Sequence, residues 1–324
     1  MKMGKVKKAI AKNSDNSMLL LILVICTLLV SLAKPGFFSF ATLQSVAYQI
    51  PEMGLLTVAM AITMLVGGIN LSVIASANLS GIVMALIMTR YIPAGTDNIP
   101  LVLVAVLAGI LVSVAAGALN GLIIAHFKIP DMLATLGTQL LFSGICLAIT
   151  RGETISGYPD SFKFIGNETI GGIPTAIYIF ALALLFLVIL LRNMPYGPRV
   201  HLYGSNKVAS MFSGVNDKAL IVKTYTISGL FVGLAAVILT SRFNAAAPGY
   251  ATSYLMQTIL IAVLGGVNPN GGHGKVSGLV LGILIFQVVG SGLNILRLNS
   301  HLTTAIYGVI LLLAVTTRML RAEK

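Results

Sequence analysis

The chain has no tryptophan, two cysteines and very little charge: 9% of its 324 residues are Asp, Glu, Lys or Arg. Each shortage excludes something. Soluble domains carry roughly a quarter charged residues because their surfaces must be wetted, so this chain cannot cover a water-facing exterior, and its solvent is largely lipid. Cys26 and Cys146 both fall inside apolar runs, where they are expected to be small packing residues rather than disulfide partners or metal ligands. Acidic residues number 9 against 21 basic ones. An enzyme working inside the membrane needs an acid, base or nucleophile within its spans, and these spans offer almost none.

Hydrophobic residues make up 57% of the chain, and there are 33 glycines. The apolar stretches are continuous, whereas barrel strands alternate apolar and polar residues, so the fold class is an all-α polytopic helical bundle. Stretches of about 20 apolar residues fall near 18–33, 43–66, 71–89, 99–122, 131–149, 173–191, 224–241, 254–267, 276–293 and 303–317. These ten spans form one membrane domain, 18–317, between a basic tail at 1–17 and a short tail at 318–324. The first run resembles a signal peptide, but no small-x-small cleavage site follows and Lys34-Pro35 closes it. It is expected to remain as the first helix. The short span at 254–267 and the glycine-rich stretch after it are expected to be re-entrant or broken, so the helix count depends on how 254–275 is divided.

A net charge of +12 would suggest nucleic acid in a soluble protein, but here the charges cluster at the two ends and in one central loop. With ten spans, one side holds Lys2, Lys5, Lys7, Lys8, Lys12, Lys128, Arg192, Arg199, Lys207, Lys218, Lys223, Lys275, Arg318, Arg321 and Lys324. The other holds Lys34, Arg90, Arg151, Lys163, Arg242 and Arg297. That bias places both termini in the cytoplasm of a cell (inner) membrane protein, with anionic lipid as the partner of the basic side and no nucleic acid. The loop 150–172 then faces outside and the basic loop 192–223 faces inside.

Met64-Leu65-Val66-Gly67-Gly68-Ile69-Asn70 returns as Ala262-Val263-Leu264-Gly265-Gly266-Val267-Asn268. Each copy is followed by Ser-Gly and an aliphatic run, at Ser80-Gly81 and Ser277-Gly278. The echo points to an internal repeat, and interrupted spans in corresponding positions point to a solute path. Glycine pairs also simply permit close helix crossing.

Catalytic and nucleotide-binding signatures do not fit. A P-loop needs Gly, four residues, then Gly-Lys-Ser/Thr; before Gly274-Lys275 that glycine position is Pro269, and Val276 follows the lysine. His126, His201, His273 and His301 stand singly without ligand spacing. No cofactor, metal or catalytic residue is expected. The one carboxylate inside a span is Glu52, which directly follows Pro51 and reads as a helix-start residue favoured by the dipole. A neutral polar set remains: Asn70, Ser72, Ser76, Asn78, Asn120, Gln257 and Asn268. These can line a passage for a neutral, hydroxyl-rich solute, or serve as interhelical hydrogen bonds worth about 0.6 kcal/mol each.

Four blocks in order resemble the ribose- and xylose-type permeases of ABC importers. Gly67-Gly68-Ile69-Asn70-Leu71-Ser72-Val73 resembles that family's Gly-Ile-Asp-Leu-Ser-Val-Gly motif, with Asn70 in place of its Asp. Leu119-Asn120-Gly121, Lys128-Ile129-Pro130 and Ala134-Thr135-Leu136-Gly137 resemble the next block. Tyr203-Gly204-Ser205-Asn206, Ala209 and Ser213-Gly214-Val215-Asn216 resemble its cytoplasmic segment, and Gly265, Gly266, Gly271, Gly272, Gly274, Gly278 and Gly292 match its C-terminal glycines. The resemblance runs from about Phe37 to Val315. It implies a permease that pairs with a second permease subunit, identical or homologous, a cytoplasmic ABC ATPase and an external solute-binding protein. Gly204, Asn206, Ala209, Ser213 and Gly214 would meet the ATPase. The competing function class is an ATP-independent carrier or channel for a small polar solute.

Overall fold

The computed structural model describes residues 14–33, 39–93, 95–296, 299, 302–310 and 312. The expected tails, apart from 14–17, and Lys34-Pro35, Arg297, His301 and the end of the last span, 313–317, lie outside the described residues. The chain is helical: α1 Ser14–Ala33, α2 Phe40–Leu65, α3 Val73–Tyr91, α4 Ile99–Phe127, α5 Asp131–Thr150, α6 Asp160–Asn167, α7 Thr175–Val188 with a wider π turn at Ile189–Asn193, α8 Tyr196–Ser205, α9 Lys207–Phe212, α10 Asp217–Phe243, α11 Tyr254–Leu264, α12 Val276–Ile295 and α13 at 302–310. Two-residue strands form two antiparallel pairs, β1 Ile155–Ser156 with β4 Ala245–Ala246, and β2 Thr169–Ile170 with β3 Ile173–Pro174.

Seven helices among the described residues are long and apolar enough to cross a membrane: Thr42–Leu65, Val73–Tyr91, Ile99–Phe127, Asp131–Thr150, Thr175–Asn193, Asp217–Phe243 and Val276–Ile295. Asn16–Leu28 and Tyr254–Leu264 are apolar but shorter. Helix starts are written locally. Ser39 accepts from the Thr42 amide, Asn98 from Leu101 with a proline in the first turn, and Asn216 from Ala219, as N-cap side chains do.

The bundle has a centre and a rim. The apolar windows of α2 and α10 are 72% and 61% buried, while those of α4, α5 and α7 are 28% buried. Leu103, Leu107, Leu111, Leu133, Leu140 and Leu182 point outward from the rim helices, as lipid-facing side chains do. α10 packs most extensively on α4, and the sequence makes that approach close. Gly117 and Gly121 on α4 lie against Tyr225 and Val222 on α10, and Gly229 and Gly233 on α10 lie against Ser113 and Ile110 on α4: a Cβ on Gly229 would fall on the Ser113 carbonyl, and one on Gly117 on the Tyr225 carbonyl. Two small-xxx-small faces therefore press backbone on backbone, which is how helices gain van der Waals contact where lipid supplies no hydrophobic drive between them.

The same crossing sets a concrete test. Gly229→Leu is expected to destabilise the protein by about 1–3 kcal/mol or more, the cost of overpacking a site without room, read as a lowered midpoint in thermal denaturation of the detergent-solubilised chain. Gly137→Leu, at a glycine with nothing near its Cβ position, is the control expected to leave the midpoint in place.

Candidate functional site

The echoed glycine pairs end two helices in the same way. At the end of α2 the Gly67 amide donates to Met64 and the Gly68 amide to Thr63, with Gly67 at φ +80°. At the end of α11 the Gly266 amide donates to Val263 and the Val267 amide to Ala262, with Gly266 at φ +100°. Both are Schellman caps, which need a left-handed residue that glycine supplies without strain. They are offset by one residue relative to the sequence match. The asparagines that follow also behave alike: Asn70 Oδ1 accepts from the Ser72 amide, 3.1 Å, and Asn268 Oδ1 from the Asn270 amide, 3.0 Å.

A third segment meets both breaks. The Gly272 amide donates to the Leu65 carbonyl at 2.9 Å. Gly204, at the end of α8, lies flush on this link, so that an added Cβ would strike the Leu65 carbonyl and the Gly272 backbone. A Cβ on Gly271 would lie 2.8 Å from the Gly204 carbonyl and 2.9 Å from the Gly67 amide. His201 Nδ1 stands 2.9 Å from the Gly272 carbonyl; since a carbonyl only accepts, the imidazole carries a proton on Nδ1. Three chain segments are thus joined almost entirely through backbone.

From this joint the chain continues outward. Asn206 caps α9 by accepting from the Ala209 amide at 2.9 Å. α9 exposes Val208, Met211 and Phe212, the last 83% exposed, at the spacing that puts them on one face. Asn206, Ser213 and Gly214 are exposed beside them, while Gly204 and Ala209 are half-buried. Tyr203, with the Lys207 ammonium over its ring at 5.5 Å, is pushed up to about 12 by burial and then by the charges of Asp217 and Asp131. It stays a neutral hydroxyl. Sequence reasoning missed Val208, Met211 and Phe212; their i, i+3, i+4 apolar spacing within a polar segment was the available signal.

The neutral polar residues divide into two groups. Asn70, Ser72 and Asn120, all buried, form one network: Ser72 Oγ donates to Asn70 Oδ1 at 2.8 Å, Asn120 Nδ2 to Ser72 Oγ at 2.7 Å, and Thr138 Oγ1 to Asn120 Oδ1 at 2.6 Å. One turn away Thr135 Oγ1 bridges the break itself, bonding the Ile69 carbonyl and the Leu71 amide. Asn78 lies apart, donating to the Tyr250 carbonyl at 3.0 Å, and lines a shallow recess with Thr240, Phe243 and Tyr250. Gln257 is half-buried on α11, and Asn268 sits in the second break. Ser76 is buried on α3.

The expectation for Glu52 is corrected. α2 begins at Phe40, so Glu52 and Pro51 lie inside the helix rather than at its start. Glu52 is buried and pairs with Arg242 at 2.7 Å, while the Tyr254 hydroxyl donates to it at 3.2 Å. A lone carboxylate inside an apolar span requires a partner, and that rule was the signal that one existed.

Thr138→Val is expected to remove the donor to Asn120 and cost about 1 kcal/mol, measured as a shift in the unfolding midpoint on titrating SDS into mixed micelles. Thr138→Ser, which keeps the hydroxyl, restores most of it.

Residues 42–315 match a family model described as branched-chain amino acid transport system / permease component. The ribose import permease protein RbsC of Bacillus subtilis (strain 168) is 33% identical over 295 residues, covering 90% of this chain and 89% of that protein. The D-allose transport system permease protein AlsC of Escherichia coli (strain K12) is 34% identical over 251 residues, covering 78% and 75%. The autoinducer 2 import system permease protein LsrD of Yersinia enterocolitica serotype O:8 / biotype 1B (strain NCTC 13174 / 8081) is 29% identical over 275 residues, covering 82% and 81%. A family match over most of the length, with relatives above 30% identity spanning three quarters or more of both chains, places this transport subunit by its sequence: the chain belongs to the permease-component family of ABC importers.

Proposed function

We propose that the chain is the translocating subunit for a neutral, hydroxyl-rich solute, a monosaccharide or a related furanose or polyol, handed over by an external binding protein and driven by a separate ATPase. The named solutes of its relatives, ribose, D-allose and autoinducer 2, support that chemical class. The observation that carries the mechanism is the backbone joint. α9 offers Val208, Met211 and Phe212 to a cytoplasmic partner, and Gly204 just behind it abuts the Leu65 carbonyl and Gly272. A push on α9 reaches both helix breaks without an intervening flexible side chain.

In this reading the ATPase meets α9 through its exposed apolar face and through Asn206, Ala209, Ser213 and Gly214, with Gly204 at the back of that segment passing the contact on to the joint. A second permease subunit, the same chain or a homologue, completes the passage. Asn70, Ser72, Asn78, Asn120, Gln257 and Asn268 lie along the path or hold it. The two matching breaks are halves of an internal repeat, supported by the shared Schellman caps and asparagine turns. Ten helices span the bilayer when α1, α11 and the last helix join the seven long ones. Both termini are then cytoplasmic, and the membrane domain runs 18–317, with its basic side against anionic lipid. α10 separates the two faces; its 27 residues extend about 40 Å.

Reconstitution with the cognate ATPase and binding protein tests the reading. Ribose uptake is expected to require ATP and to fall more than tenfold with Phe212→Asp or Gly204→Val. Phe212→Asp releases the ATPase during co-purification, and Gly204→Val retains it. Uptake that proceeds without the ATPase and survives both substitutions indicates an ATP-independent carrier instead. Orientation has its own measurement. In a Cys26→Ala, Cys146→Ala background, Ser213→Cys is expected to label only from the cytoplasmic face of sealed vesicles, and Ser161→Cys only from outside.

A further inference from the structure

At the Phe243 end of α10, opposite the end that leads back to α9, four helices meet through polar side chains inside the bundle. Glu52 on α2 is 3% exposed in its side chain and Arg242 on α10 is 22% exposed, 2.7 Å away. Tyr254 on α11 donates its hydroxyl to the same carboxylate oxygen, Oε1, at 3.2 Å. Gln287 on α12 donates to Gln49 on α2 at 2.7 Å, one turn along α2 from Glu52. The second carboxylate oxygen, Glu52 Oε2, is buried with no hydrogen-bond partner among the described residues.

A buried carboxylate oxygen without a donor is costly, and a buried ion pair is by itself a weak source of stability. Such a group is retained where something else completes it. We infer that this cluster is a solute-contacting subsite on the outer half of the path, in which a hydroxyl of a neutral polyol or sugar donates to Glu52 Oε2. The inference rests on the transport reading above. The chemistry suits that ligand class. Glutamate and arginine together are neutral, so an uncharged solute meets no uncompensated charge. Glu52 accepts from hydroxyls, Arg242 donates to them, and the Gln49–Gln287 amides do either.

The cluster is not sealed on every side. Arg242 and Tyr254 form its partly exposed front. The Arg242 guanidinium lies over the Phe243 ring at 5.9 Å, and Phe243 in turn lines the recess that holds Asn78. Gln257 follows Tyr254 at i+3, on the same face of α11.

The test is a cycle between protein and ligand. Uptake into proteoliposomes, with saturating loaded binding protein and ATPase, is measured for the unaltered chain and for Glu52→Gln, with D-ribose and with each of its monodeoxy analogues. For one analogue the unaltered chain is expected to be about tenfold slower, the scale of a hydrogen bond to a charged group. Glu52→Gln then slows ribose by a similar factor without slowing that analogue further, because the two changes remove the same contact. Equal slowing of ribose and of every analogue makes Glu52 a structural strut and overturns the subsite. If Glu52→Gln does not fold, Glu52→Gln/Arg242→Gln removes both charges together and is read in the same cycle. The unaltered complex supplies an independent reading through dicyclohexylcarbodiimide: ribose protects Glu52 from modification if the subsite exists, and equal labelling with and without ribose overturns it. An unaltered chain that imports none of these sugars with ATP overturns the transport reading, and the subsite with it.

Discussion

A helix that stops inside an apolar environment leaves backbone amides and carbonyls that water cannot reach, and every one must be met from within the protein. The architecture follows from how that demand is satisfied at 65–72 and 264–275. Glycine caps close the last turns, asparagine side chains turn the chain, Thr135 bonds both sides of the first break, and Gly272 takes the Leu65 carbonyl. With those groups satisfied, α3 can begin within the bundle next to Asn120, and α8 can rest directly on the joint. The buried Asn70–Ser72–Asn120–Thr138 network belongs to the same solution, since each member uses its hydrogen bonds on another.

Charge is handled by similar economy. The described spans bury one carboxylate of note, Glu52, opposite one guanidinium from a helix far away in sequence, so the interior carries polarity without net charge. Polar but neutral surroundings suit a solute that must be held loosely enough to leave. Selectivity on the scale of single hydroxyls can then reside in a few contacts, while tight binding belongs to a partner outside the membrane.

Much of this was legible in the residues. Continuous apolar runs marked the seven long helices, and the paired glycines with asparagine marked both breaks, because left-handed caps and side-chain turns have strong residue preferences. Other features were hidden for physical reasons. Gly117, Gly121, Gly229 and Gly233 are four of 33 glycines, and nothing local says which glycines lie at a helix crossing. Glu52 looked like a helix-start residue because Pro51 is a common first-turn residue, yet here the helix tolerates the proline in its interior. Arg242 read as a loop cation because it closes a span; only the third dimension brings it to Glu52. Val208, Met211 and Phe212 were concealed by the polar residues around them.

The joint between α8 and the two breaks is made of main chain, and that limits how the protein can vary. Side chains at an ordinary contact can be exchanged for larger or smaller ones, letting affinity drift in either direction. Where Gly204 and Gly272 face the Leu65 carbonyl, every substitution adds atoms, so change there can only wedge the segments apart. Adjustment of the fit between these segments is left to neighbours that have something to trade, such as the His201 imidazole on the Gly272 carbonyl and the Ser205 hydroxyl beside Gly272. Lineages that retune their coupling would therefore be expected to diverge at these flanking positions and to keep the glycines.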